Sequence, residues 1–192
     1  MGTPVTALLI MDVQPEIVER FGSDTGLIER ITRAARAARE SGIRVIFVKV
    51  GFRAGYPEIS PRSHTFARVA ESGGFVEGSS SEIHPALAPQ PDDIVVTKRR
   101  VSAFAGSDLD VVLRAGGIEA LVLCGIATSG VVLSTLRQAA DLDFSLSVLA
   151  DACTDADEEV HRVLCEKVFP RQSEVLTVEE WVSTLTQHPT GH

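Results

Sequence analysis

The chain reads as an α/β protein, a six-stranded parallel sheet in the order 3-2-1-4-5-6 with helices on both faces. Short apolar runs alternate with stretches of helical periodicity from one end of the chain to the other. The runs are nearly continuously hydrophobic, the pattern of strands covered on both faces, rather than alternating in-and-out. The predicted order sets strands 1 and 4 side by side at a switch point, where ligands of such sheets bind beyond the strand carboxyl ends.

The first strand is Ala7–Met11, closed by Asp12. Leu27, Ile31, Ala34, Ala35 and Ala38 then recur at helical spacing, with Ser23 or Asp24 as cap and Gly42 as stop. Ile43–Val50 is the second strand. Residues 51–91 are rich in proline, glycine and serine and form a long excursion, within which Ser63–Ser72 has the makings of a helix. Ile94–Thr97 is the third strand, with Lys98 at its end. Ser107 caps a short helix, Asp108–Ala115, stopped by Gly116 and Gly117. Ala120–Cys124 is the fourth strand, and Gly125–Gly130 turns sharply into a helix that runs through about Asp141. Ser145–Ala150 is the fifth strand, followed by Asp151 and a helix capped by Thr154 or Asp155 with Val160, Val163, Leu164 and Val168 on one face. Ser173–Leu176 is the sixth strand. Thr177 and Glu180 form a capping box that opens the last helix, anchored by Trp181 and Leu185.

The length of 192 residues and this continuous alternation predict one domain over residues 1–186, with 187–192 as a flexible tail. Hydrophobic residues make up 44% and charged residues 23%, ordinary for a globular protein. Eighteen basic against 26 acidic residues give a net charge of −8, no footprint for nucleic acid or an anionic membrane surface. No apolar run approaches the ~20 residues of a membrane span, and the N-terminus lacks a basic region followed by an apolar one. The three cysteines, Cys124, Cys153 and Cys165, do not read as a disulfide framework or a zinc cluster, so a reducing cytoplasm is the expected compartment. Gly51, Gly55 and the Gly73–Gly74 pair match no nucleotide-binding pattern, and no cofactor is expected.

Chemistry is therefore sought at the strand carboxyl ends. Asp12 supplies a carboxylate able to move a proton, Lys98 an ammonium able to hold that carboxylate or a substrate anion. The first amides of the helix after Thr128 face developing negative charge. Each also has a structural reading: Asp12 holding the turn to Gln14 and Pro15, Lys98 joining Arg99 and Arg100 in a solvated basic strip. Three polar features at the ends of neighbouring strands weigh toward function.

The stretches LLIMDVQPEIV (8–18) and VVTKRRVSAFAGSDLDVVLRAGGIEALVLCGIATSGVV (95–132), followed by DAC (151–153), resemble the isochorismatase-like cysteine hydrolase superfamily. The resemblance implies dimers or tetramers and an Asp, Lys and Cys catalytic set used on amides such as nicotinamide or N-carbamoyl compounds. Members without the cysteine include isochorismatases, which cleave a vinyl ether. On this resemblance the catalytic Asp is Asp12, with Gln14 following, and the catalytic Lys is Lys98, with Ser102, Ala103 and Phe104 behind it. It also implies a cis peptide between Ile126 and Ala127. The nucleophile normally stands three residues after the threonine at 128, and here that position is Val131. Valine cannot attack a carbonyl.

Metal-binding relatives carry an Asp-x-His with a further His after strand 2. Val50–Pro57 holds no such cluster, and no metal is expected. His64 stands alone in a loop and His84 reads as a turn residue. Glu77–Glu82 departs from the relatives' Gly-Thr-x-Gly-Ala-Glu, while Glu82, Ile83 and Pro85 fit. Arg53 and Tyr56 are candidates to pair with a substrate carboxylate, and Gln14, Phe104, Ile126, Ala127 and Thr128 complete the expected substrate contacts.

Three functional readings follow. One is a hydrolase of small molecules that needs no cysteine, with Asp12 as general acid or base, Lys98 as its electrostatic partner and Val131 as an apolar floor. A second is a retired hydrolase that binds a small acid or amide. A third, the weakest, is an amidohydrolase working through Cys153 or Cys124. The partners expected are a small-molecule substrate and further copies of the chain, as homodimer or homotetramer, with no nucleic acid and no membrane.

Overall fold

A computed structural model describes residues 4–21, 26–78 and 82–187. The strands β1 (Thr6–Met11), β2 (Arg44–Val50), β3 (Ile94–Lys98), β4 (Ala120–Ile126), β5 (Ser145–Thr154) and β6 (Glu174–Leu176) pair in parallel as one sheet, ordered β3-β2-β1-β4-β5-β6. This is the predicted order. The helices are α1 (Pro15–Phe21), α2 (Leu27–Glu40), α3 (His64–Ser72), α4 (Leu109–Ala115), α5 (Leu133–Asp141), α6 (Glu158–Val163) and α7 (Val178–Gln187).

The central place of β1 explains its composition. Ala7–Met11 are wholly buried, because β2 and β4 flank the strand and helices cover both faces. α2 packs across β1, β2 and β5 and beside α7. Its buried stripe of Leu27, Ile31, Ala34, Ala35 and Ala38 is the predicted one, and the alanines let the helix lie close to the sheet. The cap candidates Ser23 and Asp24 lie outside the described residues. α5 lies against β5. Right-handed crossovers from the switch point place α2 and α5 on opposite faces.

Two differences from the sequence reading bear on the site. β5 continues four residues past the predicted Ala150, pairing Cys153 with Gly125 and Thr154 with Ile126 after an irregularity in register. Thr154 therefore cannot cap the next helix. Asp157 does so, its Oδ1 accepting from the amides of Glu159 at 2.9 Å and Val160 at 3.4 Å. The second difference is α1, which the sequence reading does not contain. Pro15 opens it and Ile17, Val18 and Phe21 pack on the core, but seven residues are too few for a periodic pattern to stand out.

Within the excursion, Ser63 caps α3 by accepting from Phe66 N, and Phe66 packs with Phe52 in a satellite core. The capping box at the start of α7 forms as predicted, Thr177 Oγ1 accepting from Glu180 N and the Glu180 carboxylate from Thr177 N. Gln187 is the last residue of α7; the rest of the expected tail lies outside the described residues.

Candidate active site

β1 ends by turning out of the sheet at Asp12, whose φ of 57° is left-handed. Aspartate tolerates this region better than most residues. Its amide still bonds to Val48 O at 2.8 Å, so the backbone is fixed at the end of β2. Gln14 makes the turn rigid. Its side-chain amide bonds both ways to the backbone of Val50, donating to the carbonyl at 3.0 Å and accepting from the amide at 2.8 Å. Two polar groups at the end of β2 are thus satisfied by one buried side chain.

Lys98 lies one strand further out, at the end of β3 and level with Val50. Its stem spans the end of β2 and brings Nζ to 2.8 Å from Asp12 Oδ2, with both side chains buried at 3% and 9% exposure. The lysine reading as part of a solvated basic strip is thereby excluded. Nζ also donates to Arg100 O at 2.9 Å. Asp12 Oδ1 is buried and has no hydrogen-bond partner among the described residues. Burial pushes the Asp12 carboxyl above its ordinary value, and Lys98 opposes the rise without cancelling it. The carboxylate is therefore held on one oxygen and unpaired on the other, and burial strengthens its hold on a proton.

β4 arrives beside Asp12 because Gly125 is paired with Met11. Gly125 has φ of 131°, and a Cβ there would overlap the carbonyl oxygen of Met11. Only glycine allows the approach. The Ile126–Ala127 peptide that follows is cis. Thr128–Val132 then form a wide turn, non-helical at Gly130 (φ −94°, ψ −106°), that leads into α5. The amides of Gly130 and Val132 both return to Ala127 O, at 3.1 and 3.3 Å. Val131 is buried with Val132 in the main core.

Two further residues reach this turn, and sequence reasoning did not place them there. Asp155 Oδ2 accepts from Ser129 N at 2.7 Å. His161 Nδ1 lies 2.8 Å from the hydroxyl of the fully buried Thr128. The Ser129 amide, one of those expected to face substrate charge, is thus held by the protein's own carboxylate. Burial lowers the affinity of His161 for a proton and nearby Asp155 partly restores it. No spacing rule signals either residue, since the contacts cross from β5 and α6 to the end of β4.

The other expected positions fall as follows. Ile126 and Ala127 are at the end of β4 beside Asp12. Phe104 packs in the main core against Phe144, and Ala103 N donates to Thr135 Oγ1 at 2.9 Å, so this loop runs along α5. Arg53 is paired with Glu58 at 2.7 Å and is well exposed, and Tyr56 donates to Gly74 O at 3.0 Å. Arg99 bonds Glu77 at 2.9 Å, and Arg100 donates to Glu58 O at 2.7 Å while lying over the Phe66 ring. The excursion is thus tied to the end of β3 just past Lys98. His84 serves its turn, Nδ1 accepting from Ala86 N.

The three cysteines are free and buried. Burial pushes the Cys124 and Cys153 thiols far up, and Cys124 donates to Leu9 O inside the sheet. Cys165 is pushed up to about 11 by burial and by Glu166. A thiol in this state holds almost no thiolate near neutrality.

The chain is similar to known proteins along nearly its whole length. The isochorismatase domain model matches residues 6–180. The isochorismatase family protein YecD of Escherichia coli O157:H7 is 36% identical over 96% of this chain and 98% of its own. The ureidoacrylate amidohydrolase RutB of Stutzerimonas stutzeri is 35% identical over 96% of this chain and 82% of its own. An isochorismatase family protein from Burkholderia thailandensis superposes with a TM-score of 0.84 at 30% identity, covering 97% of this chain and 98% of that one. A domain match that runs from the start of β1 to past the end of β6, with relatives 36% and 35% identical over almost the whole chain, assigns this chain to the isochorismatase family.

Proposed function

We propose that this chain hydrolyses a small molecule without a cysteine nucleophile, using Asp12 as general acid and base and Lys98 as its electrostatic partner. The observation that carries this reading is the state of Asp12: buried, paired to Lys98 through Oδ2 and unpartnered at Oδ1. A proton-transfer group needs one oxygen held for aim and the other free for the reacting atom.

Burial addresses the difficulty that a neighbouring ammonium poses for a general acid, because the carboxyl is raised in spite of Lys98. With an enol ether, Asp12 Oδ1 gives its proton to the vinylic carbon and leaves an oxocarbenium ion. Water adds to that ion, its surplus proton returns to Asp12, and the hemiketal falls apart to an alcohol and a ketone. Lys98 stabilises the carboxylate that exists between the two proton transfers. With an ureido or amide substrate the same carboxylate takes a proton from the water that attacks the carbonyl carbon and gives it to the departing nitrogen as the C–N bond breaks, leaving an acid and an amine or ammonia. No step uses a side-chain nucleophile, so Val131 is compatible with either substrate and gives the site an apolar wall. Arg53, exposed and paired with Glu58, is the guanidinium of the excursion that this reading offers to a substrate carboxylate.

The test is turnover of isochorismate, simple enol ethers and N-carbamoyl or ureido acids by the purified chain, followed by product detection. Asp12→Asn abolishes activity under this reading. Turnover that survives Asp12→Asn removes the mechanism. Val131 itself favours a second reading, a binding protein on the same fold. Saturable stabilisation by a small acid or amide, with no product formed, supports that alternative and overturns the first.

A further inference from the structure

We infer that His161 is a positioning residue for the site, clasping the turn after β4 through the Thr128 hydroxyl. The inference rests on reading the Asp12–Lys98 pair as the active site. The first amides of a helix find no partner within it. Here Gly130 is non-helical and the amides of Gly130 and Val132 both fold back on Ala127 O, which leaves the Ser129 amide and the Thr128 hydroxyl to partners outside the turn. Its orientation relative to Asp12 therefore depends on groups outside it.

Two such groups hold consecutive residues of the turn. Asp155 holds the Ser129 amide at 2.7 Å, and His161 holds the Thr128 hydroxyl at 2.8 Å. Both holders are themselves fixed. The second oxygen of Asp155 accepts from Ala156 N at 2.9 Å, and α6, which carries His161, is capped by Asp157. The Thr128 hydroxyl is fully buried, so loss of the imidazole strands it. Ile126 and Ala127 lie immediately before the clasped pair and Val131 soon after, so the clasp sets how this segment faces Asp12 and Lys98.

The experiment is amide hydrogen exchange, resolved by NMR on the full chain, at Ser129, Gly130 and Val132. His161→Phe is expected to speed exchange at these amides by about tenfold or more, with the amides of β1 unchanged within about twofold. His161→Asn, whose side chain reaches the place of Nδ1, restores protection, and His161→Gln, which mimics Nε2, does not. Thr128→Val reproduces the His161→Phe effect, and the two together add nothing further. A uniform rise across the sheet, no rise at the turn, or equal behaviour of His161→Asn and His161→Gln overturns the proposal. No substrate is needed, so failure of the catalytic reading shows separately as absent turnover. Where turnover is found, His161→Phe lowers kcat by about tenfold with KM moved by less than about threefold. An unchanged kcat overturns the proposal as well.

Discussion

Replacing Lys98 by methionine keeps the length of the stem and removes the ammonium, which isolates the electrostatics of the pair. Both side chains are almost fully buried and their charged atoms are 2.8 Å apart. Stripping one partner from a buried ion pair destabilises by ~3–5 kcal/mol, because the remaining charge has no compensation. Here Asp12 is left with neither oxygen engaged, since Oδ1 already lacks a partner. The lost bond to Arg100 O adds ~1 kcal/mol that does not depend on pH. The larger part does depend on pH. Asp12 is already raised above its ordinary value by burial, and Lys98 is what limits the rise. Without Lys98 the folded chain keeps the Asp12 proton over a wider range, while the unfolded chain still releases it in the usual carboxylate range. The unfolding free energy of Lys98→Met therefore falls as pH rises through that range and levels off only above the folded-state value. Each tenfold gain in proton affinity corresponds to ~1.4 kcal/mol. Denaturant unfolding from about pH 4.5 to about pH 8 measures the gap to the natural chain, which is expected to widen toward neutrality. Adding Asp12→Asn to Lys98→Met removes the stranded charge and recovers ~2 kcal/mol or more near neutrality. A gap that stays constant with pH, or a double variant no more stable than Lys98→Met, refutes the coupling.

Further outcomes follow from the same geometry. Val131→Cys puts a thiol at a buried position of the turn after β4; on the proposed reading it faces Lys98, and iodoacetamide is expected to label it at least about tenfold faster than the buried Cys124 and Cys153, whereas labelling no faster than these removes Val131 from the site. Gly125→Ala forces a Cβ into the carbonyl of Met11 and is expected to destabilise by ~3 kcal/mol or more, and a loss under ~1 kcal/mol by denaturant titration counts against the close approach of β1 and β4. Burial lowers His161 below its ordinary value, so the unfolded chain gains the imidazole proton first as pH falls, and stability drops below about pH 6.5. His161→Asn removes that part of the acid sensitivity; an unchanged slope in unfolding free energy between about pH 7 and about pH 5 argues that the imidazole titrates as if exposed.

The sequence by itself determined the architecture, because burial on both faces leaves a local mark. β1 is hydrophobic at every position from Ala7 to Met11, α2 carries its stripe at helical spacing, and Thr177 and Glu180 announce the start of α7 within four residues. Glycine at 125 and aspartate at 12 were legible as punctuation at strand ends. What the local pattern does not encode is which distant groups meet. Asp12 and Lys98 are 86 positions apart and become a pair only because β2 separates their strands by one place in the sheet. Thr128 and His161 meet across 33 positions, and Asp155, readable as a helix cap, is diverted to Ser129 because β5 extends to Thr154 and passes the cap to Asp157. The balance of burial against charge at Asp12 was likewise decided by packing, since a sequence names the ammonium nearby and not the exclusion of water around it. Periodicity and capping act over a few residues and are written in order along the chain. Proton affinity and the partners of buried polar groups are set by everything within a few ångströms, and only the folded arrangement brings those groups together.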